Sequence, residues 1–222
     1  VTRIPVEIDL AAEFRYRDPI MEEGTMTIII SQSGETADSL AALRKAQELG
    51  SKVLGIVNVV GSSIAREADN VMYTWAGPEI SVATTKAYST QLSALYLLTM
   101  LFAKTRETIS NEEYMEMLTE IKSLPEKIQT ILGDKERIQW FASKYANAQD
   151  IFFLGRGVDF ASSLEGSLKL KEISYIHSEA YAAGELKHGP IALIENGITV
   201  VGIMTIPNLV EKCVSNMQEV IS

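Results

Sequence analysis

Short apolar runs alternate with amphipathic helical patterns along this chain. Thr25–Ile30 is a β-branched run of the length of one strand. Ala37–Leu49 then carries apolar residues at helical spacing, and Gly50 stands where a C-terminal helix cap belongs. Strands that are almost continuously apolar and alternate with helices are typical of a parallel sheet covered on both faces. The pattern therefore predicts an α/β fold with three layers, in which helices flank a parallel sheet.

The same pattern predicts further elements as far as the C-terminus. Strands are predicted at Val53–Val59, Val71–Trp75, Asp150–Leu154 and Thr199–Met204, and helices at Ser63–Ala68, Thr85–Lys104, Asn111–Leu132, Lys135–Ala146, about Phe160–Tyr175 and from about Leu209. We expect Pro125 and Gly133 to interrupt the helical stretch in the middle of the chain. The segment between Tyr175 and Pro190 is expected to be irregular.

These elements group into two α/β units joined by helices. We predict a first unit at residues 1–106, a helical connection at 107–148 and a second unit at 149–222. The two units resemble a diverged repeat, and each is expected to be incomplete. The first lacks an opening strand and helix, and the second lacks its C-terminal part.

Composition excludes several classes of partner. The chain has 222 residues and a formal net charge of −9, so it has no excess of basic side chains to neutralise nucleic acid or an anionic membrane. Val1–Phe14 lacks the apolar block of a signal peptide, and the longest mostly apolar run, Leu92–Ala103, is about half of the ~20 residues that a membrane span needs. Cys213 is the single cysteine, which excludes an intrachain disulfide and fits a reducing, cytoplasmic location.

The segment Ser31-Gln32-Ser33-Gly34-Glu35-Thr36 lies between a predicted strand and a predicted helix. The N-terminus of such a helix offers unpaired N–H groups to an anion, and the three hydroxyls of the segment add neutral donors. No lysine and no G-x-G-x-x-G pattern is present in it, so a monophosphate on a small molecule fits better than a nucleotide. The simpler interpretation is that Ser33 only caps the helix.

Glu165, Lys169 and Glu172 follow each other at i, i+4 and i+7, which places them within roughly 60° of one helix face. A carboxylate beside a lysine is a plausible proton-transfer pair where flanking leucines and Ile173 exclude water. An exposed salt-bridge ladder would show the same spacing. The chain has two histidines, His177 and His188, and no cysteines near them at ligand spacing, so no metal site and no cofactor is predicted.

Longer motifs carry a family resemblance that covers the entire chain. The strand followed by SQSGET resembles the phosphate loop of the sugar isomerase (SIS) family. Within that family, EFRYRDP (13–19), SVATTKAYSTQL (81–92) and LEGSLKLKEISYIHSEAYAAGELKHGP (164–190) resemble the isomerase half of the glutamine–fructose-6-phosphate aminotransferases. The resemblance implies the conversion of fructose 6-phosphate and glutamine-derived ammonia to glucosamine 6-phosphate.

The resemblance also implies roles for individual residues. Glu172 would be the base that moves a proton between C1 and C2, with Lys169 and Glu165 beside it. His188 would open the sugar ring in the active site of the neighbouring subunit of a homodimer, whereas His177 is expected to make a structural hydrogen bond. Substrate contacts are expected from the following residues: Ser31, Gln32, Ser33, Thr36, Val82, Ala83 and Thr84. For the last three, an ordinary helix start is the interpretation without the resemblance.

The resemblance further implies that some parts of the enzyme lie outside this sequence. An N-terminal glutaminase domain, a further phosphate contact and a C-terminal lysine have no counterpart here, so the chain by itself is expected to be inactive. Two alternatives remain open: another SIS enzyme, such as a fructosamine-6-phosphate deglycase, or a non-catalytic sugar-phosphate sensor. A sensor needs no base, so the acid–base helix favours an enzyme.

Overall fold

The computed structural model describes residues 1–221 of the chain. It divides into two compact units between Ile128 and Gln129. In each unit, parallel strands form a sheet and helices pack against it. This confirms the predicted α/β class with two units of parallel sheet flanked by helices.

The strands of the first unit lie side by side in the order β1, β2, β3 and all run in the same direction. The unit contains α1 (Ala11–Phe14), β1 (Met26–Ser31), α2 (Ala37–Glu48), β2 (Lys52–Val57), α3 (Ser63–Glu67), β3 (Asn70–Tyr73), α4 (Thr85–Thr105) and most of α5 (Asn111–Gly133). Because the strands are parallel, the turns that follow them lie at one edge of the sheet. That edge carries the predicted phosphate loop.

The core of the first unit joins this sheet to α2 and α3. Leu43 of α2, Val57 of β2 and Ile64 of α3 are fully buried in one apolar cluster. Helix α2 ends at a left-handed Gly50, where the N–H of Gly50 bonds to Gln47 O at 3.0 Å and the N–H of the next residue bonds back into the helix. The predicted glycine cap is thus present, and the core fixes α2 against the strand that precedes the loop.

The second unit has its sheet in the order β5, β4, β6, again with parallel strands. It contains α6 (Lys135–Tyr145), β4 (Asp150–Gly155), α7 (Val158–Ser174), β5 (His177–Ala182), β6 (Thr199–Gly202), α8 (Val210–Ile221) and 3₁₀ turns at Leu186–His188, Pro190–Leu193 and Pro207–Leu209. Leu154 of the central strand and Cys213 of α8 are buried in the core of the second unit, so the cysteine is a core residue. None of the helices in the described range is long and apolar enough to cross a membrane.

Two local expectations were wrong. The segment between α7 and Pro190 is not irregular throughout, because β5 pairs with β4 along its whole length. Its sequence, HSEAYA, contains no apolar run: polar residues alternate with small ones, as an edge strand permits. Pro125 does not interrupt the helical stretch but lies inside α5. Proline has no N–H group, so the carbonyl one turn before Pro125 lacks its helical hydrogen bond. Because Pro125 is exposed, water can bond to that carbonyl instead.

Candidate functional site

The loop after β1 is folded by its own hydroxyl groups. Ser31 Oγ accepts a hydrogen bond from the N–H of Gly34 at 3.1 Å and lies 3.1 Å from Thr36 Oγ1. Ser33 Oγ accepts the N–H of Glu35 at 3.2 Å. The three hydroxyls predicted to serve a phosphate are therefore gathered in one turn at the carboxyl edge of the first sheet.

The helix that begins at this loop has an open N-terminus. Thr36 is its N-cap residue, with extended backbone angles, and its side chain makes no capping hydrogen bond. The capping interpretation of Ser33 is wrong, because its hydroxyl bonds within the loop and not to the first turn of α2. Asp38 in that turn is paired with Arg15 at 2.8 Å, which offsets its negative charge. Unpaired N–H groups and the positive end of the helix dipole thus remain for an anion.

The loop is held in place by the short helix α3. Gly34 has φ +67°, and a Cβ added there would lie 2.1 Å from the buried hydroxyl of Ser62. Its carbonyl accepts the N–H of Ile64 at 3.0 Å, and the Glu35 carboxylate accepts the N–H of Ser63 at 2.8 Å. Hydrogen bonds from the hydroxyl and the backbone of Ser63 lower the pKa of Glu35. The single carboxylate of the loop is therefore engaged by α3.

The second predicted loop, 82–84, lies between β3 and α4 and immediately precedes that helix. Val82 is exposed, Ala83 is buried, and Thr84 is the N-cap with a left-handed backbone, φ 49°. Here the helix start already contains a carboxylate, since Glu79 accepts the N–H groups of Ser81 at 3.2 Å and of Ala87 at 3.4 Å. The two helix starts therefore differ, and the one at α4 is less suited to a phosphate.

The corresponding turn of the second unit, after β6, is also filled by the protein itself. Asp159, buried in the first turn of α7, accepts hydrogen bonds from the N–H and the hydroxyl of Thr205. The hydrogen bond from the Thr205 hydroxyl lowers the pKa of Asp159 most, and burial of the carboxylate opposes this effect. The N–H groups of Thr205 and Ile206 lower the pKa further. This turn lacks the hydroxyl cluster of the first unit, and its position near α7 is fixed by an internal carboxylate.

The predicted acid–base residues lie together on α7. Lys169 Nζ is 2.5 Å from Glu172 Oε2 and 3.5 Å from Glu165 Oε1. The side chains of Glu165 and Lys169 are 23% and 21% exposed, and that of Glu172 is 34% exposed. Partial burial of Lys169 opposes its charge, but the hydrogen bond to Glu172 and the attraction of both carboxylates outweigh it and raise the pKa of Lys169. The lysine is thus held as a cation between two carboxylates.

Three of the apolar side chains expected to exclude water from these residues are exposed in the described part of the chain. Leu164, Leu168 and Ile173 are 50%, 44% and 64% exposed. Their positions on α7 turn them away from β4 and β5, which already bury the small side chains of Ser163 and Ser167. The flank of the acid–base group therefore faces solvent in the described structure.

The two histidines occupy different surroundings, both in the second unit. His188 is exposed in the 3₁₀ turn Leu186–His188, where its N–H bonds to Glu185 O at 3.0 Å. His177 opens β5, and its Nδ1 lies 2.7 Å from Asp150 Oδ1. His177 thus makes the structural hydrogen bond expected of it. Within residues 1–221, no three His, Cys, Asp or Glu side chains are grouped so that they could hold a metal ion.

Three residues of the first unit were missed by the sequence interpretation. Glu35 and Glu79 accept backbone N–H groups at α3 and α4, and Asn58, directly after β2, bonds to the turns on both sides of it. Charged and amide side chains in strand-end turns are the only sequence signal for such roles, and many exposed turns share it.

The first unit thus combines a parallel sheet with a hydroxyl-lined turn at an open helix start, and the second combines a parallel sheet with a carboxylate–lysine group on α7. The model of the SIS domain matches residues 1–101 and 144–218, and the chain belongs to this family.

Known relatives extend this assignment. The glutamine–fructose-6-phosphate aminotransferase (isomerizing) of Caldanaerobacter subterraneus subsp. tengcongensis is 59% identical over 98% of this chain, and that of Clostridium tetani is 59% identical over 99%. The chain spans 36% of the length of each of these relatives. The solved C-terminal domain of glucosamine-fructose-6-phosphate aminotransferase from Francisella tularensis has a TM-score of 0.96 and 40% identity, covering 99% of this chain and 62% of that one.

Proposed function

We propose that this chain is part of the isomerase region of a cytoplasmic glutamine–fructose-6-phosphate aminotransferase, which makes glucosamine 6-phosphate. The observation that carries the proposal is the open N-terminus of α2 beside the hydroxyls of Ser31, Ser33 and Thr36. The strand-end turns at Glu79 and Asp159 are occupied by carboxylates and repel an anion. A sugar phosphate would therefore place its phosphate at α2, with Gln32 beside it, and its hydroxyls near 82–84.

The proposed reaction is a proton transfer after ammonia has replaced the C2 carbonyl oxygen of fructose 6-phosphate. The Glu172 carboxylate removes a proton from C1, and the carboxyl group formed, which can exchange its proton with water, delivers a proton to C2. The proton of the C1 hydroxyl passes to the nitrogen on C2, so the ketose derivative becomes an aldose derivative without an external oxidant. Lys169, held as a cation, orients the carboxylate and stabilises negative charge that develops on the substrate. Glu165 on its other side keeps the lysine charged and in place.

Further roles in the proposal rest on the family resemblance of the sequence. His188, exposed on its 3₁₀ turn, would act as acid and base at the ring oxygen of the cyclic sugar, in the active site of a second copy of the chain. A homodimer is therefore part of the proposal. Ammonia would come from a glutaminase domain in the full-length protein, and no nucleic acid or membrane partner is involved.

Binding of fructose 6-phosphate tests the proposed phosphate site. In the full-length protein, Ser33→Ala combined with Thr36→Ala should weaken binding by about 2–4 kcal/mol, because two hydroxyl donors to a charged group are lost. Isothermal calorimetry measures the change. The matched control is Thr119→Ala with Ser123→Ala, whose hydroxyls bond to carbonyls of α5. Equal affinity of the loop variant and the control variant would remove the loop from the site.

A further inference from the structure

Asn58 connects the turns that follow three neighbouring strands. It stands directly after β2, the middle strand of the first sheet. Its backbone N–H donates to Gln32 O in the loop after β1 at 3.0 Å. Its side chain bonds on the other side to the segment Thr74–Gly77, which follows β3. One residue therefore contacts the proposed phosphate loop and the segment that leads to 82–84.

The side-chain contacts require an amide. Asn58 Oδ1 accepts hydrogen bonds from Thr74 Oγ1 at 3.1 Å and from the N–H of Ala76 at 2.8 Å. Its Nδ2 donates to Gly77 O at 2.8 Å. An aspartate would keep the two accepted bonds but would place an oxygen against the carbonyl of Gly77, which has no proton to give. The geometry thus uses both the donor and the acceptor of the side chain.

The segment that Asn58 holds has an unusual backbone. Trp75 has φ 53°, in the left-handed region that non-glycine residues seldom adopt, and its side chain is 75% exposed. Such a conformation persists only where surrounding contacts enforce it. Thr74 and Ala76, the residues on either side of Trp75, are the two that donate to Asn58 Oδ1. The amide therefore fixes the path by which the chain leaves β3.

We infer that Asn58 is a positioning residue that sets the separation between the phosphate end and the sugar end of the binding site. The inference rests on the proposed function. The connection to the phosphate loop uses the backbone of Asn58, and the connection to 74–77 uses its side chain. A change of side chain therefore releases the segment that leads to 82–84 and leaves the loop after β1 intact. The side chain of Asn58 thus fits the site to a phosphate ester of a particular length, and this side chain contributes nothing to the binding of phosphate alone.

Two probes separate these effects in the full-length protein: inorganic phosphate and fructose 6-phosphate. For Asn58→Ala and Asn58→Asp, we expect the affinity for inorganic phosphate to stay within about twofold of the unchanged protein, because its donors are untouched. The affinity for fructose 6-phosphate should fall at least about tenfold, since the sugar hydroxyls lose hydrogen-bond partners near 82–84 while the phosphate keeps its own. Asn70→Ala is the matched control, because Asn70 is exposed at the amino end of β3, on the opposite edge of the same sheet.

The outcomes distinguish the inference from the proposed function. Unchanged fructose 6-phosphate affinity in both Asn58 variants overturns the inference. An equal loss for both probes also overturns it, because the residue would then support the whole fold and not one segment. If the unchanged protein binds neither probe, the proposed function itself fails. A selective loss of sugar phosphate binding, with the Asn70 control unchanged, supports the inference.

Discussion

Single carboxylates distinguish the strand-end turns of this chain from one another. Glu79 fills the start of α4, and Asp159 holds the turn after β6, whereas the turn after β1 presents the hydroxyls of Ser31, Ser33 and Thr36 to an open helix start. A carboxylate satisfies the local N–H groups and repels phosphate, while a hydroxyl leaves the positive end of the helix available. The identity of one side chain per turn thus decides which turn suits an anion.

Gly34 provides a prediction at the residue scale. Gly34→Ala should lower the free energy of unfolding by about 2–4 kcal/mol, since the new methyl group meets Ser62 and the left-handed backbone becomes strained. Gly24→Ala is the control, because Gly24 also has positive φ but open space at the Cβ position, and it should cost only about 1 kcal/mol. Urea denaturation measures both. Equal losses in the two variants would show that the contact with Ser62 is unimportant.

How far residues were predictable depended on how local their contacts are. The group Glu165, Lys169 and Glu172 was predictable, because helical spacing alone brings the three side chains together. Asn58 and Glu35 were not predicted as site residues, since their partners, which are backbone groups and the hydroxyl of Thr74, lie 16 to 28 positions away in the sequence. The residue pattern within one helix or strand carries no information about contacts between positions so far apart in the sequence.

At the scale of elements, the apolar runs predicted five of the six described strands, all of them parallel, and they predicted the helix ends within a few residues. Strand β5 was missed because its outward side chains are polar and its other side chains are small, so no apolar run marks it. Helix α5 continues through Pro125 because the loss of one N–H on an exposed face is a small perturbation in a helix of 23 residues. The hydrophobic pattern therefore predicts strands that carry an apolar run, including the edge strands β1, β3 and β6, and it misses a strand that has none.

Asp159 gives a prediction at this scale, because it ties the first turn of α7 to the turn after β6. Its pKa is lowered on folding, so its contribution to stability is complete above its unfolded pKa of about 4 and is lost as the pH falls through its folded value. Asp159→Asn should therefore lower the unfolding temperature at pH 7, and the difference from the unchanged protein should shrink below about pH 4. Thermal unfolding followed by circular dichroism between pH 2 and 7 measures it. Asp18→Asn, at an exposed position, is the control. A difference that stays constant across this range would contradict the assignment.

At the scale of the whole molecule, the chain carries part of a longer family pattern. It covers 62% of the solved C-terminal domain from Francisella tularensis. In the described residues of this chain, α7 exposes the side chains of Leu164, Leu168 and Ile173. The predicted boundaries at residues 106 and 148 stay a prediction, because α5 runs across the point at which the two units divide.

The proposed homodimer leads to a prediction for the full-length protein. If His188 acts in the site of the partner copy, Glu172→Gln in one copy and His188→Asn in the other fall in the same site of a mixed dimer and leave the second site intact. Mixing the two inactive variants should then restore roughly a quarter of the unchanged activity, because about half of the randomly formed dimers are mixed and each has one working site. Glucosamine 6-phosphate formation measures the recovery. Failure to recover activity, with subunit exchange verified by mass spectrometry, would place both residues in the same copy's site.

The central claim is that Glu172 moves the proton between C1 and C2 of the sugar. In the full-length protein, fructose 6-phosphate deuterated at C1 reports this step through loss of the label to water. Glu172→Gln keeps the shape of the side chain but removes the base, so the exchange rate should fall at least about a hundredfold. Affinity for fructose 6-phosphate should change little, because the proposed phosphate donors belong to the loop after β1. Exchange at the unchanged rate in the Gln variant would contradict the claim and would leave Glu172 as one member of a salt-bridge ladder on α7.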